Sequence, residues 1–182
     1  GFVIDGPEHG SRASTGILDD LLARVIVLES KGTRVVLVSL DLWGLSPALS
    51  TAIKAAAGEA AGVASTSVWL TATGNATSPP LWRDEPEYAA YSAFLPDQIR
   101  GAVTAAVGSL EPASMGSKGT LLPDVSTFTE GPGRPGNAAL FVMAIDRADG
   151  SGIARVLNFA CPASILGSST KWTADYPGYA SW

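Results

Sequence analysis

The stretch "TATGNATSPPLW", Thr71 to Trp82, is the first place where this sequence could do chemistry. An apolar run ends there in small polar residues and two prolines. The carboxyl end of a strand is where α/β proteins usually hold a ligand. Yet Gly74, Asn75, Ala76, Thr77 and Ser78 include no imidazole, thiol or carboxylate. The chain has one histidine and one cysteine. His9 sits in the Gly- and Ser-rich lead-in "PEHGSR" and reads as an exposed loop residue. Cys161 is a candidate thiolate ligand or nucleophile, but no histidine stands near it in sequence to activate it. Its ordinary reading is a small apolar residue ending a strand. Asp41 and Asp175, each near a strand end or turn, are the carboxylates that an acid–base pair would need. Their ordinary reading is turn-capping for Asp41 and anchoring of the tail for Asp175. Trp43, Trp82, Tyr88 and Tyr91 could line a lipid cleft, and otherwise read as core and rim packing. The loop "TEGPGRPGN", Thr129–Asn137, is rich in glycine but lacks the spacing and the Lys-Ser/Thr pair of a phosphate-cradling loop.

Composition narrows the classes. With 46% hydrophobic and 16% charged residues, the chain reads as a packed globular protein. A net charge of −5 without a basic run argues against nucleic-acid binding, which needs clustered Lys and Arg. No apolar run approaches the roughly 20 residues that cross a bilayer. A single cysteine excludes an internal disulfide and leaves the redox compartment open.

The elements that would position these residues follow from periodicity. Residues 1–20 read as an irregular lead-in. Leu21–Glu29 and Arg34–Asp41 read as a hairpin about the turn "SKGT". Ser46-Pro47 supplies a cap and first-turn proline for an Ala-rich helix. Ser67–Thr73 is a third strand. The stretch "EPEYAAYSAFLPDQIRGAVTAAVGSL" is helical, with Pro96 expected to kink or split it. Ala113–Leu122, Ala138–Asp146 and Gly152–Ala160 are strands, the last two joined through "RADGS". The tail reads as a loop. Strands as apolar as "RVVLVSLD" suggest burial on both faces. The expectation is a single α/β domain, a mixed sheet with flanking helices, incomplete at its carboxyl end.

Four phrases, in order, carry a family resemblance: "GTRVVLVSLDLWGLS", "VWLTATGNATSPP", "GIARVLNFACPASILG" and "WTADYPGYA". Together they resemble the amino-terminal part of the neutral (non-lysosomal) ceramidase-like family, over nearly all of residues 1–182. The resemblance implies a zinc-dependent amide hydrolase that cuts an N-acyl bond of a sphingolipid. Where that family's third strand ends Thr-His-x-His-Ser-x-Pro, this chain reads Thr73-Gly74-Asn75-Ala76-Thr77-Ser78-Pro79. Where the family reads Asn-Phe-Ala-x-His-Pro-Thr, it reads Asn158-Phe159-Ala160-Cys161-Pro162-Ala163-Ser164. The histidine positions are therefore Gly74, Ala76 and Pro162. The phrase Ala174–Ala180, with Asp175, is intact. The family's further ligands and its catalytic serine fall beyond Trp182.

Three expectations follow from the resemblance. Glycine, alanine and proline offer zinc no donor, so the chain is expected to hold no zinc and to be a degenerate or truncated, inactive member. Its vestigial site would be lined by Gly74, Asn75, Ala76, Ser78, Pro162 and Asp175. The alternative is a non-catalytic module that binds an N-acyl lipid or docks against another chain or a missing carboxyl-terminal portion. The resemblance also suggests a secreted or periplasmic setting.

Overall fold

The computed structural model describes residues 3–6, 10–122 and 138–181. The loop Thr129–Asn137 and His9 lie outside the described residues. The lead-in is not irregular throughout. Val3–Gly6 (β1) and Gly10–Ala13 (β2) form an antiparallel pair, and Gly16–Ile17 (β3) is a short strand. Ala23–Ser30 (β4) and Thr33–Leu40 (β5) make the expected hairpin. Its turn residues Lys31 and Gly32 both take left-handed φ, 50° and 76°. That is the two-residue turn whose twist matches the flanking strands.

Pro47–Ala61 (α1) starts as expected. Ser46 is its N-cap and accepts from Leu49 N–H at 3.2 Å, and Gly62 closes it in the left-handed region at φ 68°. Val68–Ala72 (β6) pairs parallel to β5. Ala89–Gly108 (α2) follows, and Pro96 does not split it. A proline removes one ladder bond. Burial of Leu95, Ile99 and Val103 along one stripe of α2 outweighs that loss.

Ser114–Leu121 (β7), Ala139–Asp146 (β8) and Gly152–Phe159 (β9) form an antiparallel meander. The Asp-Gly turn between β8 and β9 is closed by Asp149 Oδ1, which accepts from Ser151 N–H at 2.9 Å and Ser151 Oγ–H at 2.7 Å. The tail is more than a loop. Lys171–Trp172 (β10) pairs parallel with β3, and Asp175–Ala180 (α3) is a short helix. Chain packing divides these elements into two compact units, Gly1–Leu110 with Pro162–Trp182, and Glu111–Cys161.

In the first unit the sheet order is β4-β5-β6. Register places Val27, Val36 and Val68 in one row, and Val25, Val38 and Leu70 in the next, all on one face. Ile53 and Ala57 of α1 and Ile99 and Val103 of α2 complete the core on that face. Burial on both faces, suggested by "RVVLVSLD", is not what β5 shows. Val36, Val38 and Leu40 are buried, while Val35, Leu37 and Ser39 are only half-buried. Both long helices pack on the same side, so the strand alternates in burial with period two.

Candidate functional site

Two strand ends build the candidate site. β5 runs into Asp41-Leu42-Trp43, and the parallel β6 runs into Thr73-Gly74-Asn75-Ala76. The backbone stitches the two together. Thr73 N–H donates to Leu40 O at 2.9 Å, and Gly74 and Asn75 N–H both donate to Leu42 O, at 3.0 and 3.2 Å. Gly74 takes φ +73°, a left-handed conformation that favours glycine.

The side chains in this turn point inward. Asn75 is fully buried. Its Nδ2 donates to Asp41 O at 3.2 Å and to Thr173 O at 2.6 Å. Its Oδ1 accepts from Thr77 N–H at 3.0 Å and lies 2.9 Å from Thr77 Oγ1. The Thr77 hydroxyl has one hydrogen, shared between Asn75 Oδ1 and Thr173 O at 3.1 Å. Ser78 Oγ donates to Asn75 O and accepts from Trp43 N–H, both at 2.9 Å. The turn is therefore a hydrogen-bonded knot, in which the buried amide of Asn75 and the hydroxyls of Thr77 and Ser78 find partners within the scaffold.

The tail joins the same knot. Ala76 N–H donates to Ala163 O at 3.0 Å and Thr173 N–H to Thr77 O at 3.3 Å. Asp175, buried and with φ 53°, accepts from Leu166 N–H and Tyr176 N–H at 2.7 Å each and from Ile165 N–H at 3.3 Å. Both its oxygens are thus engaged by backbone. Asp41 is engaged likewise: Oδ1 accepts from Arg24 Nη1–H at 2.7 Å and Oδ2 from Leu22 N–H at 3.0 Å. The structure does not join Asp41 and Asp175 through any side-chain contact among these bonds; each carboxylate holds its own loop.

Of the residues singled out in the sequence, Asn75, Ala76, Thr77 and Ser78 are brought together with Ala163 and Thr173. Gly74 is half-buried beside them, and Pro162 is exposed. Tyr88 is core, at 1% exposure, and Tyr91 packs against that core. Trp43 and Trp82 are half-buried neighbours with ring centroids 6.3 Å apart. Cys161 is half-buried, two residues past β9. Sequence reasoning missed Asp19, whose carboxylate accepts from Thr173 Oγ1–H at 2.5 Å and Ala174 N–H at 2.6 Å. It also missed the Arg24 bond to Asp41. Nothing local marks Asp19, because its partners lie 154 and 155 residues away.

The donor set does not fit zinc. A catalytic zinc takes three nitrogen, sulfur or carboxylate ligands and leaves one position for water. Gly74 has no side chain, Ala76 has a methyl and Pro162 a saturated ring. Among the described residues, no group of three or more His, Cys, Asp and Glu stands where it could hold a metal ion.

The fold is similar to that of part of solved neutral ceramidase structures. Neutral ceramidase from Pseudomonas aeruginosa superposes with a TM-score of 0.78 at 20% identity, over 99% of this chain and 32% of that one. A ceramidase complexed with C2 superposes with a TM-score of 0.66 at 19% identity, over 93% of this chain and 30% of that one. The chain thus spans about a third of the length of the structures it resembles. No protein-family model and no curated protein sequence matches it. The resemblance drawn from the four phrases stands at the level of fold, and so does the mixed α/β class. No helix among the described residues is long and apolar enough to cross a membrane.

Proposed function

We propose that this chain is a ceramidase-like domain that holds no catalytic zinc and hydrolyses no amide. Gly74, Asn75, Ala76, Ser78, Pro162 and Asp175 line what remains of the site. The observation that carries the reading is the closed state of the turn. Buried Asn75 spends its amide on Asp41 O, Thr173 O and Thr77, so the groups nearest the strand end serve the scaffold. Beside it stand Gly74, Ala76 and Pro162, which carry no atom able to lower the pKa of a bound water by way of a metal. Without that activation, an N-acyl amide meets neither a nucleophile nor a Lewis acid at this turn. The function that fits is structural: a scaffold whose strand ends are locked by hydrogen bonds.

The test is metal analysis of the purified chain after incubation with zinc, alongside an N-acyl-lipid hydrolysis assay. The expected result is no stoichiometric zinc and no turnover. Zinc at one per chain with turnover that chelation removes would overturn the proposal.

A further inference from the structure

The lead-in from Thr15 to Asp20 lies along the tail and is fastened to it by hydrogen bonds. β3 pairs with β10, Gly16 beside Lys171 and Ile17 beside Trp172. Thr15 N–H donates to Thr170 O at 2.8 Å, and Leu18 N–H to Trp172 O at 2.7 Å. Asp19 then accepts from the Thr173 hydroxyl at 2.5 Å and from Ala174 N–H at 2.6 Å. Apolar burial adds little, since Ile17 is 62% exposed and Leu18 50%. Leu21 is the point at which this segment packs against the core. A segment held by hydrogen bonds with few apolar contacts opens at a lower free energy than the core does.

We infer that residues 15–20 form a strap hinged at Leu21, and that Asp19, acting through Thr173, is a positioning residue for the strand-end turn. Thr173 is fully buried, and each of its polar groups is engaged. Its N–H donates to Thr77 O at 3.3 Å. Its carbonyl accepts from Asn75 Nδ2–H at 2.6 Å and lies 3.1 Å from Thr77 Oγ1. Its hydroxyl oxygen accepts from Asp175 N–H at 3.1 Å, and Asp19 takes the one hydrogen that this hydroxyl can give.

The other side of the turn is tied to β5. Asn75 Nδ2–H also donates to Asp41 O at 3.2 Å. Asp41 N–H donates to Leu22 O at 3.1 Å, and Leu22 N–H to Asp41 Oδ2 at 3.0 Å. A ring of bonds therefore runs from Asp19 through Thr173, Asn75 and Asp41 to Leu22. It closes through the chain itself, because Asp19 and Leu22 belong to one short segment. Leu22 and Asp41 are fixed at the end of β5, so the ring parts at Asp19. With the strap lifted, the Thr173 hydroxyl hydrogen is left without its acceptor. The carbonyl that serves Asn75 and Thr77 loses its anchor, and the Asn75 amide then holds firmly to Asp41 O alone. The strap thus sets whether the turn stays sealed. The inference rests on the hydrogen-bonded turn and not on the absence of zinc, so metal analysis neither supports nor overturns it.

The experiment is native-state hydrogen exchange of the 182-residue chain, read amide by amide by NMR across a denaturant series. The Leu18, Thr77 and Ala174 amides are expected to open together, with one free energy and one denaturant slope, both below those of the β5 ladder. Asp19→Ala is expected to speed exchange at Thr77, whose amide bonds Asn75 and not Asp19, by about tenfold. Asp19→Asn keeps an acceptor for the Thr173 hydroxyl and is expected to restore most of that protection. A side chain that merely filled space at position 19 would leave Thr77 unmoved. Thr77 opening only with the β5 ladder overturns the proposal, and so does Thr77 staying protected while Leu18 opens. Both outcomes are read on the parent chain, so the test stands even where Asp19→Ala does not fold.

Discussion

Asn75 offers the sharpest handle on whether the strand-end turn is a scaffold or a ligand site. Replacing it with alanine removes the bonds to Asp41 O, Thr173 O and Thr77 N–H, all within a fully buried environment. Each intramolecular bond contributes about 1 kcal/mol net, so the three together stand for about 3 kcal/mol. Their former partners have no water to turn to, which places the cost at the upper end of that range. Net stabilities of domains run to about 5–15 kcal/mol, so the loss is a large share. For a chain of this length it lowers Tm by about 6–12 °C, at about 2–4 °C per kcal/mol. Urea unfolding with far-UV detection reads the change in midpoint, and m should stay constant.

A loss under about 1 kcal/mol for Asn75→Ala would refute the reasoning, since that is the price of less than one such bond. The amide would then be open to solvent, and the turn free to receive a ligand. Asn75→Asp separates the effect of shape from that of hydrogen bonding. Aspartate keeps an acceptor for Thr77 N–H but sets a carboxylate against two carbonyl oxygens. It is expected to destabilise more than alanine at neutral pH. The protonated carboxyl can donate again, so the introduced group titrates above its unfolded value. The deficit therefore grows as pH rises past the unfolded pKa and eases as pH falls.

Two further outcomes follow from buried groups nearby. Thr73 Oγ1 is buried without a hydrogen-bond partner, so the near-isosteric Thr73→Val should raise stability by about 1 kcal/mol, read from the urea midpoint; a loss would mean the hydroxyl is bonded. Burial pushes the Tyr91 phenol above its ordinary 10.0. Its folded pKa is raised, so its contribution is full below pH 10.0 and is lost as pH climbs through the folded value. Ultraviolet titration should show the Tyr91 phenol ionising late, a signal that Tyr91→Phe removes, and that substitution should soften the alkaline loss of stability.

What the sequence revealed and what it hid divide along one line, that of locality. The hairpin about Lys31-Gly32 and the helix between Ser46-Pro47 and Gly62 are written in residues a few places apart, and both formed where expected. The pairing of β3 with β10 joins Gly16 to Lys171, and the strands are only two residues each. No periodicity can be read from so short a run. Pro96 misled because the cost of a missing backbone bond is local, whereas the burial of Ile99 and Val103 that offsets it is not. At the candidate site, residue types told which donors a metal would lack. They could not tell that Asn75 turns inward, because its partners Asp41 and Thr173 lie 34 and 98 residues away.

The turn has its own main-chain support. It is fixed by main-chain bonds, from Thr73, Gly74 and Asn75 to the β5 end and from Ala76 to Ala163. The same backbone sets a cost on larger side chains. At Gly74 an added Cβ would meet no atom within 4 Å, so space is not the obstacle, but φ of +73° is. A side chain there costs about 1–2 kcal/mol in left-handed strain. Ala76 is buried at 3% exposure, with no room allotted to an imidazole unless its neighbours move. Larger side chains at positions 74 and 76 would therefore cost stability. The hydrogen bonds of Asn75 and Thr77, which serve the fold at once, hold the turn in its present state.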